Sequence, residues 1–205
     1  MSLLPLRPYQ RDAVDAVHDA LARGMRRPAV VMATGLGKTP TFAHLGTEWL
    51  DANPGRRVLV LAHTTELVDQ AMQKWRSVAP GLRVGRVQAN ANETLASVVV
   101  ASVQTLRSEN RRRMLRNVGM LIIDECHHST ASTYMSILTH YGALGDLRED
   151  SAVAVGFTAT MMRGDGVALG DVWQDVVYVR SIGDGIADGF LVRPRGLHIE
   201  VDDLD

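Results

Sequence analysis

Two short stretches of this sequence carry residue types whose spacing suits chemistry on a polyphosphate. The first is Thr34-Gly35-Leu36-Gly37-Lys38-Thr39, which follows the apolar run Ala29 to Ala33 and precedes a helix-patterned stretch. A glycine loop that opens a helix points successive backbone N–H groups at an anion, and the helix dipole favours negative charge at that end. Side chains would block so close an approach, which is why glycines stand there. In such a loop the Lys38 ammonium reaches the β- and γ-phosphates and the Thr39 hydroxyl ligates Mg²⁺. Pro40 is unusual in the next position: it has no N–H, so the loop is expected to offer one phosphate donor fewer.

The second stretch is Met120-Leu121-Ile122-Ile123-Asp124-Glu125-Cys126-His127, an apolar strand that ends in paired carboxylates. Ligands of a parallel sheet bind at the carboxyl ends of its strands, which sets Asp124 and Glu125 beside the glycine loop. Adjacent acids can then divide the work. Asp124 holds Mg²⁺ through its water shell, while Glu125 orients and deprotonates an attacking water.

The elements that must position these groups alternate along the chain. Ala29 to Ala33, Val58 to Ala62, Val98 to Ala101, Met120 to Ile123 and Ala152 to Phe157 are short apolar runs, as expected of strands buried on both faces. Between them Lys38 to Leu50, Thr65 to Val78, Val103 to Arg116 and Ser132 to Tyr141 pattern as helices, and a first helix is expected over Tyr9 to Arg23. This alternation predicts an α/β domain with a mostly parallel sheet flanked by helices. Towards the end, a Gly- and Met-rich stretch spans Met161 to Gly170, a short helix is expected over Ser181 to Gly189, and a strand near Leu197 to Val201.

With 205 residues, the chain is long enough for one domain with its own core. Its 22 basic and 23 acidic residues give a formal charge of −1, which excludes a strongly basic nucleic-acid glue; any grip on a polyanion must be local. Hydrophobic residues at 46% exclude a disordered chain. Cys126 is the single cysteine, so no intrachain disulfide can form, and with no membrane span or signal segment a cytoplasmic protein is the expectation.

Taken in order, the motifs resemble those of superfamily-two helicases. Asp124-Glu125-Cys126-His127 resembles the DECH form of the DEAD-like box. The loop, with Met32 where the general pattern has glycine, is similar to the shorter helicase form. Leu6-Arg7-Pro8-Tyr9-Gln10 resembles the entry motif of the group that holds type I and III restriction motor subunits, XPB-like and RadD-like proteins. Leu61-Ala62-His63-Thr64-Thr65-Glu66-Leu67 looks like motif Ia, Ala101-Ser102-Val103-Gln104-Thr105-Leu106 like the next strand-contacting motif, and Phe157-Thr158-Ala159-Thr160 like motif III. Arg163 and Asp165 fit the segment that follows, whereas Met161 and Thr65 depart from the common pattern.

The resemblance implies a three-layer RecA-like P-loop domain over residues 1–200, with 201–205 beginning a linker to a second RecA-like lobe. It implies ATP and Mg²⁺ as cofactors, held by Thr34, Gly35, Leu36, Gly37, Lys38, Thr39 and Asp124. Gln10, helped by Arg7, reads adenine; Glu125 is the catalytic base; His127, Thr158 and Thr160 couple the ATP site to motif III. The implied partner is nucleic acid, DNA favoured over RNA, with Thr64 and Gln104 as backbone contacts, and no membrane. Because the second lobe of such motors supplies an arginine finger, this chain is expected to bind nucleotide but to turn it over slowly. Two other classes fit the same loop: a single-lobe nucleotide-dependent binding or regulatory module, and a P-loop ATPase acting on protein partners.

Weaker features have plainer readings. Cys126, His127, His128 and His63 lack the spacing of a zinc site. Arg111, Arg112, Arg113 and Arg116 suit a solvated helix end, and Trp49, Trp75 and Trp173 suit packing.

Overall fold

The computed structural model describes residues 5–129, 131–146, 148, 150–160 and 172–193. Met161 to Gly170, with Arg163 and Asp165, the strand expected near Leu197 to Val201 and the linker at 201–205 lie outside the described residues.

Among the described residues, eight strands form one sheet in the order β4-β3-β5-β2-β6-β7-β1-β8. They are β1 (Pro28–Met32), β2 (Arg57–Ala62), β3 (Val84–Gln88), β4 (Ala91–Asn92), β5 (Val98–Ser102), β6 (Val118–Asp124), β7 (Val153–Thr158) and β8 (Asp175–Arg180). Every pairing is parallel except that of β3 with β4. The helices are α1 (Pro8–Ala22), α2 (Lys38–Ala52), α3 (Thr65–Val78), α4 (Glu109–Met114), α5 (Ser132–His140) and α6 (Ile182–Ala187).

Strand side chains alternate between the two faces, and each face has its own core. Val30, Val58, Val60, Val100, Ile122 and Phe157 pack beneath α1, α2 and α3 with Phe42 and Trp75. Val31, Leu59, Leu61, Val99, Leu121 and Ile123 face Leu106, Leu115, Tyr134, Ile137 and Trp173 on the other side. The result is the three-layer α/β arrangement, with the central strands covered on both faces.

The stretch Val103 to Arg116 is not one helix. A 3₁₀ turn at Thr105–Arg107 ends at Ser108, whose ψ of 122° is extended, and α4 starts only at Glu109. The turn is held sideways instead: the Ser102 hydroxyl bonds Thr105 Oγ1 at 3.0 Å, and the Val103 N–H reaches the Ala62 carbonyl at 3.0 Å. Arg112 likewise is no solvated terminus. It is 8% exposed and donates from Nη1 to the carbonyls of Leu106 and Arg107, at 2.7 and 3.0 Å, closing the break that Ser108 opens.

Candidate active site

β1 runs into the glycine loop at the carboxyl edge of the sheet. Gly35 and Gly37 both adopt positive φ, 87° and 83°, which L side chains seldom tolerate. Space is scarce as well: a Cβ on Gly35 would sit 3.0 Å from Leu191, and one on Gly37 would strike the Gln10 amide. Gly37 caps α2, so Lys38 and Thr39 occupy its first turn, where backbone N–H groups are without helical partners. Thr34 and Gly35 are exposed, whereas the Leu36 side chain is fully buried and its N–H bonds the Ala33 carbonyl at 3.2 Å. That donor is spent inside the loop.

β6 lies two strands away from β1, with β7 between them. At its end Asp124 pairs in register with Phe157, and Glu125 turns the chain with φ 53° and ψ 51°, a left-handed conformation rare for a non-glycine residue. This turn brings Glu125 Oε1 to 3.5 Å from Lys38 Nζ and Oε2 to 3.4 Å from His127 Nδ1. His127 Nδ1 also lies 2.9 Å from Thr158 Oγ1, which accepts the Thr160 N–H at 3.3 Å. Lys38, Glu125, His127, Thr158 and Thr160 therefore form one contiguous set.

The Asp124 carboxyl titrates high, at about 6, because burial disfavours its charge and the neighbouring Glu125 adds repulsion; Lys38 and the Glu125 N–H offset only part of this. Two carboxylates crowded beside one lysine are short of positive charge. A hard cation that takes oxygen ligands, as Mg²⁺ does, would suit that deficit, with the Asp124 carboxylate and the Thr39 hydroxyl as the oxygens that could hold it.

Gln10 and Arg7 lie on the other flank of the loop. Gln10 Nε2 donates to the Leu36 carbonyl at 3.0 Å, and its Oε1 accepts the Arg7 N–H at 3.0 Å, leaving one amide hydrogen and one lone pair. Arg7, Gln10, Leu6, Gly35, Gly37 and Pro40 line a cleft of about 270 Å³. α1 is clamped to α2 by Arg11, which forks onto Glu48 at 2.6 and 3.0 Å. Burial alone would raise the Glu48 carboxyl, but the Arg11 hydrogen bond and charge bring it below its ordinary value.

The sequence motifs missed part of this flank. Tyr9 bridges Arg7 Nη1, from which it accepts at 3.1 Å, to the Leu36 carbonyl, to which it donates at 3.0 Å. Phe190 packs on Tyr9 with centroids 5.0 Å apart and lies 4.8 Å under the Arg7 guanidinium, while Arg180, paired with Asp188, sits 4.9 Å over the Tyr9 ring. The tyrosine was visible in the entry motif; its aromatic partner, at the far end of the chain, gave no local signal.

Thr64 and Gln104 share the same edge of the sheet, after β2 and β5. Thr64 caps α3 by accepting the Leu67 N–H at 3.3 Å, and Gln104 Nε2 donates to the His63 carbonyl at 2.6 Å. Both are exposed. Cys126, by contrast, is fully buried, and its thiol is pushed far above its ordinary range by desolvation and the two acids beside it.

A glycine loop opening a helix on a parallel sheet, faced by a strand-end acid pair, defines a P-loop nucleotide-binding domain. The chain belongs to the family described as type III restriction enzyme, res subunit, whose profile matches residues 3–163. It is 36% identical over 203 residues to a protein of Schizosaccharomyces pombe named "Putative mitochondrial ATP-dependent helicase irc3", covering 96% of this chain and 33% of that protein. It is 31% identical over 207 residues to the type I restriction enzyme EcoAI endonuclease subunit of Escherichia coli, covering 96% and 24%. The chain thus spans a third or less of the length of these relatives. In fold it is similar to the UvsW helicase from bacteriophage T4, with a TM-score of 0.67 at 19% identity over 85% of this chain and 60% of that one. It is also similar to the type ISP restriction-modification enzyme LlaGI in complex with a DNA substrate mimic, at 0.69 and 15%, over 91% and 21%. Among the described residues, no helix is long and apolar enough to cross a membrane.

Proposed function

We propose that this chain is the ATP-binding lobe of a nucleic-acid helicase or translocase, hydrolysing ATP in a Mg²⁺-dependent reaction coupled to remodelling of DNA, with RNA the less favoured substrate. The observation that carries this reading is the approach of Lys38 to Glu125 at 3.5 Å, a phosphate-binding cation and a strand-end base facing one anion site.

Lys38 is paired with Glu125 at 3.5 Å. A triphosphate in the loop draws Lys38 onto its β- and γ-oxygens and leaves the Glu125 carboxylate to orient and deprotonate water. His127 Nδ1 lies 3.4 Å from Oε2 and 2.9 Å from the Thr158 hydroxyl, which positions the ring beside the carboxylate. Gln10 uses its spare amide hydrogen and lone pair on the adenine edge, with Arg7 beside it. Mg²⁺, held by Thr39 and through water by Asp124, would neutralise charge developing on the phosphate oxygens.

The lobe is assigned to 1–200 and the start of a linker to 201–205, with a second RecA-like lobe following in cis and completing the ATP site. An arginine finger contributes about 10³ to 10⁵ in rate, so the chain by itself is a slow ATPase. DNA is favoured because LlaGI, similar in fold, was captured with a DNA substrate mimic, and Thr64 and Gln104 are assigned to its backbone.

Nucleotide binding and turnover, with and without single-stranded DNA, duplex DNA or RNA, test the reading. Lys38→Ala is expected to weaken ATP binding and Glu125→Gln to stop turnover while keeping binding. A Lys38→Ala protein that binds ATP as tightly as the wild type overturns it.

A further inference from the structure

His63 and His128 belong to none of the roles above, yet they join the two ends of the site. The His63 carbonyl accepts from Gln104 at the exposed edge, and its ring stacks on His128 with centroids 5.4 Å apart and planes 23° from parallel. His128 packs on His127 at 4.1 Å, and His127 contacts Glu125 and Thr158. His127 and His128 also share one 3₁₀ turn, Cys126–His128, whose His128 N–H bonds the Glu125 carbonyl at 3.0 Å. Glu125 therefore sits at the root of a small hydrogen-bonded turn whose outer end is stacked on the loop that carries His63. Glu125 is also in a left-handed conformation that its surroundings must hold in place.

We propose that His63 and His128 are positioning residues that transmit occupancy of the Gln104 edge by a phosphodiester backbone to the Glu125 carboxylate. The inference rests on the function proposed above. A nucleic-acid strand that fixes the His63 loop fixes the ring against His128, and the turn carries that restraint to Glu125 and Lys38. Coupling of two sites is carried by an element that both can bias, and the Cys126–His128 turn adjoins Glu125 directly and the Gln104 edge through His63. By thermodynamic reciprocity, a nucleotide that moves Glu125 must then change affinity at the edge by the same factor.

The test is the affinity of this chain for a fluorescent oligodeoxynucleotide, single-stranded and duplex, with and without Mg²⁺ and a non-hydrolysable ATP analogue. For the wild type the two affinities are expected to differ by about fivefold or more. In His63→Ala and His128→Ala the ratio falls towards one, while affinity for the analogue without DNA stays unchanged. His63→Phe, which keeps a stacked ring, retains the ratio. If His63 only touches the strand, His63→Ala weakens binding equally in both nucleotide states and leaves the ratio intact, which overturns the inference. So does a wild type that binds both ligands with no ratio between them. A wild type that binds the oligonucleotide in neither state overturns the proposed function as well, so the two failures are distinguishable.

Discussion

Lys38 Nζ stands 3.5 Å from Glu125 Oε1, so the first turn of α2 and the end of β6 meet through one ion pair beside the glycine loop. The pair is mostly shielded, with Lys38 at 11% and Glu125 at 31% side-chain exposure, so Glu125 is the more open of the two. Glu125→Gln removes the proposed base and releases Lys38 from its partner. Turnover is expected to fall by about 10²- to 10⁴-fold, the usual worth of a positioned general base. Binding of ATP should be as tight as in the wild type or tighter. Single-turnover hydrolysis and equilibrium nucleotide titration separate the two effects.

The raised Asp124 carboxyl is expected to make the protein less stable as pH rises. Its folded pKa of about 6 lies above the ordinary 3.8, so its favourable contribution is complete below about pH 4 and is lost as pH climbs through 6. A difference of two units corresponds to about 3 kcal/mol. Asp124→Asn is therefore expected to unfold at higher urea than the wild type at about pH 8 in the presence of a chelator, with the gap closing towards pH 4. Equal urea midpoints across that range count against a buried, repelled carboxylate.

Much of this site was legible in the sequence because its parts are local. The loop glycines, the acid pair and the five apolar runs of β1, β2, β5, β6 and β7 each announce themselves within a few residues. β3 did not, because Arg86 and Gln88 alternate with Val84 and Val87 near the sheet's edge and break the apolar run. The split of Val103 to Arg116 was hidden for a different reason: its apolar spacing suits a helix, and bonds from Ser102, Arg112 and the Val103 N–H hold the chain out of one. The Tyr9–Phe190 contact joins residues at opposite ends of the chain, and no spacing rule reaches that far.

Gly37→Ala should separate loop geometry from lysine chemistry. The substitution forces a β-carbon into a φ of 83° and against the Gln10 amide. The left-handed backbone alone costs about 1–2 kcal/mol, and the crowding adds to it. Thermal unfolding is expected to shift down, and ATP affinity to fall even with Lys38 intact. Gly55→Ala has a similar φ of 83° but open space around it, so it measures the backbone cost without the contact.

Arg112 is a test of the interior rather than of the ATP site. Its guanidinium satisfies the Leu106 and Arg107 carbonyls where the 3₁₀ turn breaks from α4. Arg112→Met fills much of the volume but leaves those acceptors unpaired, at a cost of about 1–3 kcal/mol for each that stays buried. A lower urea midpoint is expected, with nucleotide affinity unchanged. Arg112→Lys should rescue part of the loss, since both bonds come from the single Nη1 and one ammonium can replace them only where its shorter stem reaches both carbonyls.

Pro40 lies in the first turn of α2, two residues after Lys38, among the positions whose N–H groups point out of the helix end towards a bound anion. Proline has no hydrogen to give there, and the next N–H, that of Thr41, is already bonded to the Gly37 carbonyl at 3.2 Å. The Thr41 hydroxyl bonds the same carbonyl at 2.9 Å, so the turn is well held without help from residue 40. Pro40→Ala therefore adds a donor to a preformed turn. A hydrogen bond to a charged acceptor contributes about 1.5–3 kcal/mol, which sets an upper range of roughly 10- to 150-fold tighter nucleotide binding. Nucleotide titration of the variant against the wild type decides it: an affinity no tighter than the wild type means that the N–H of residue 40 has no phosphate to reach.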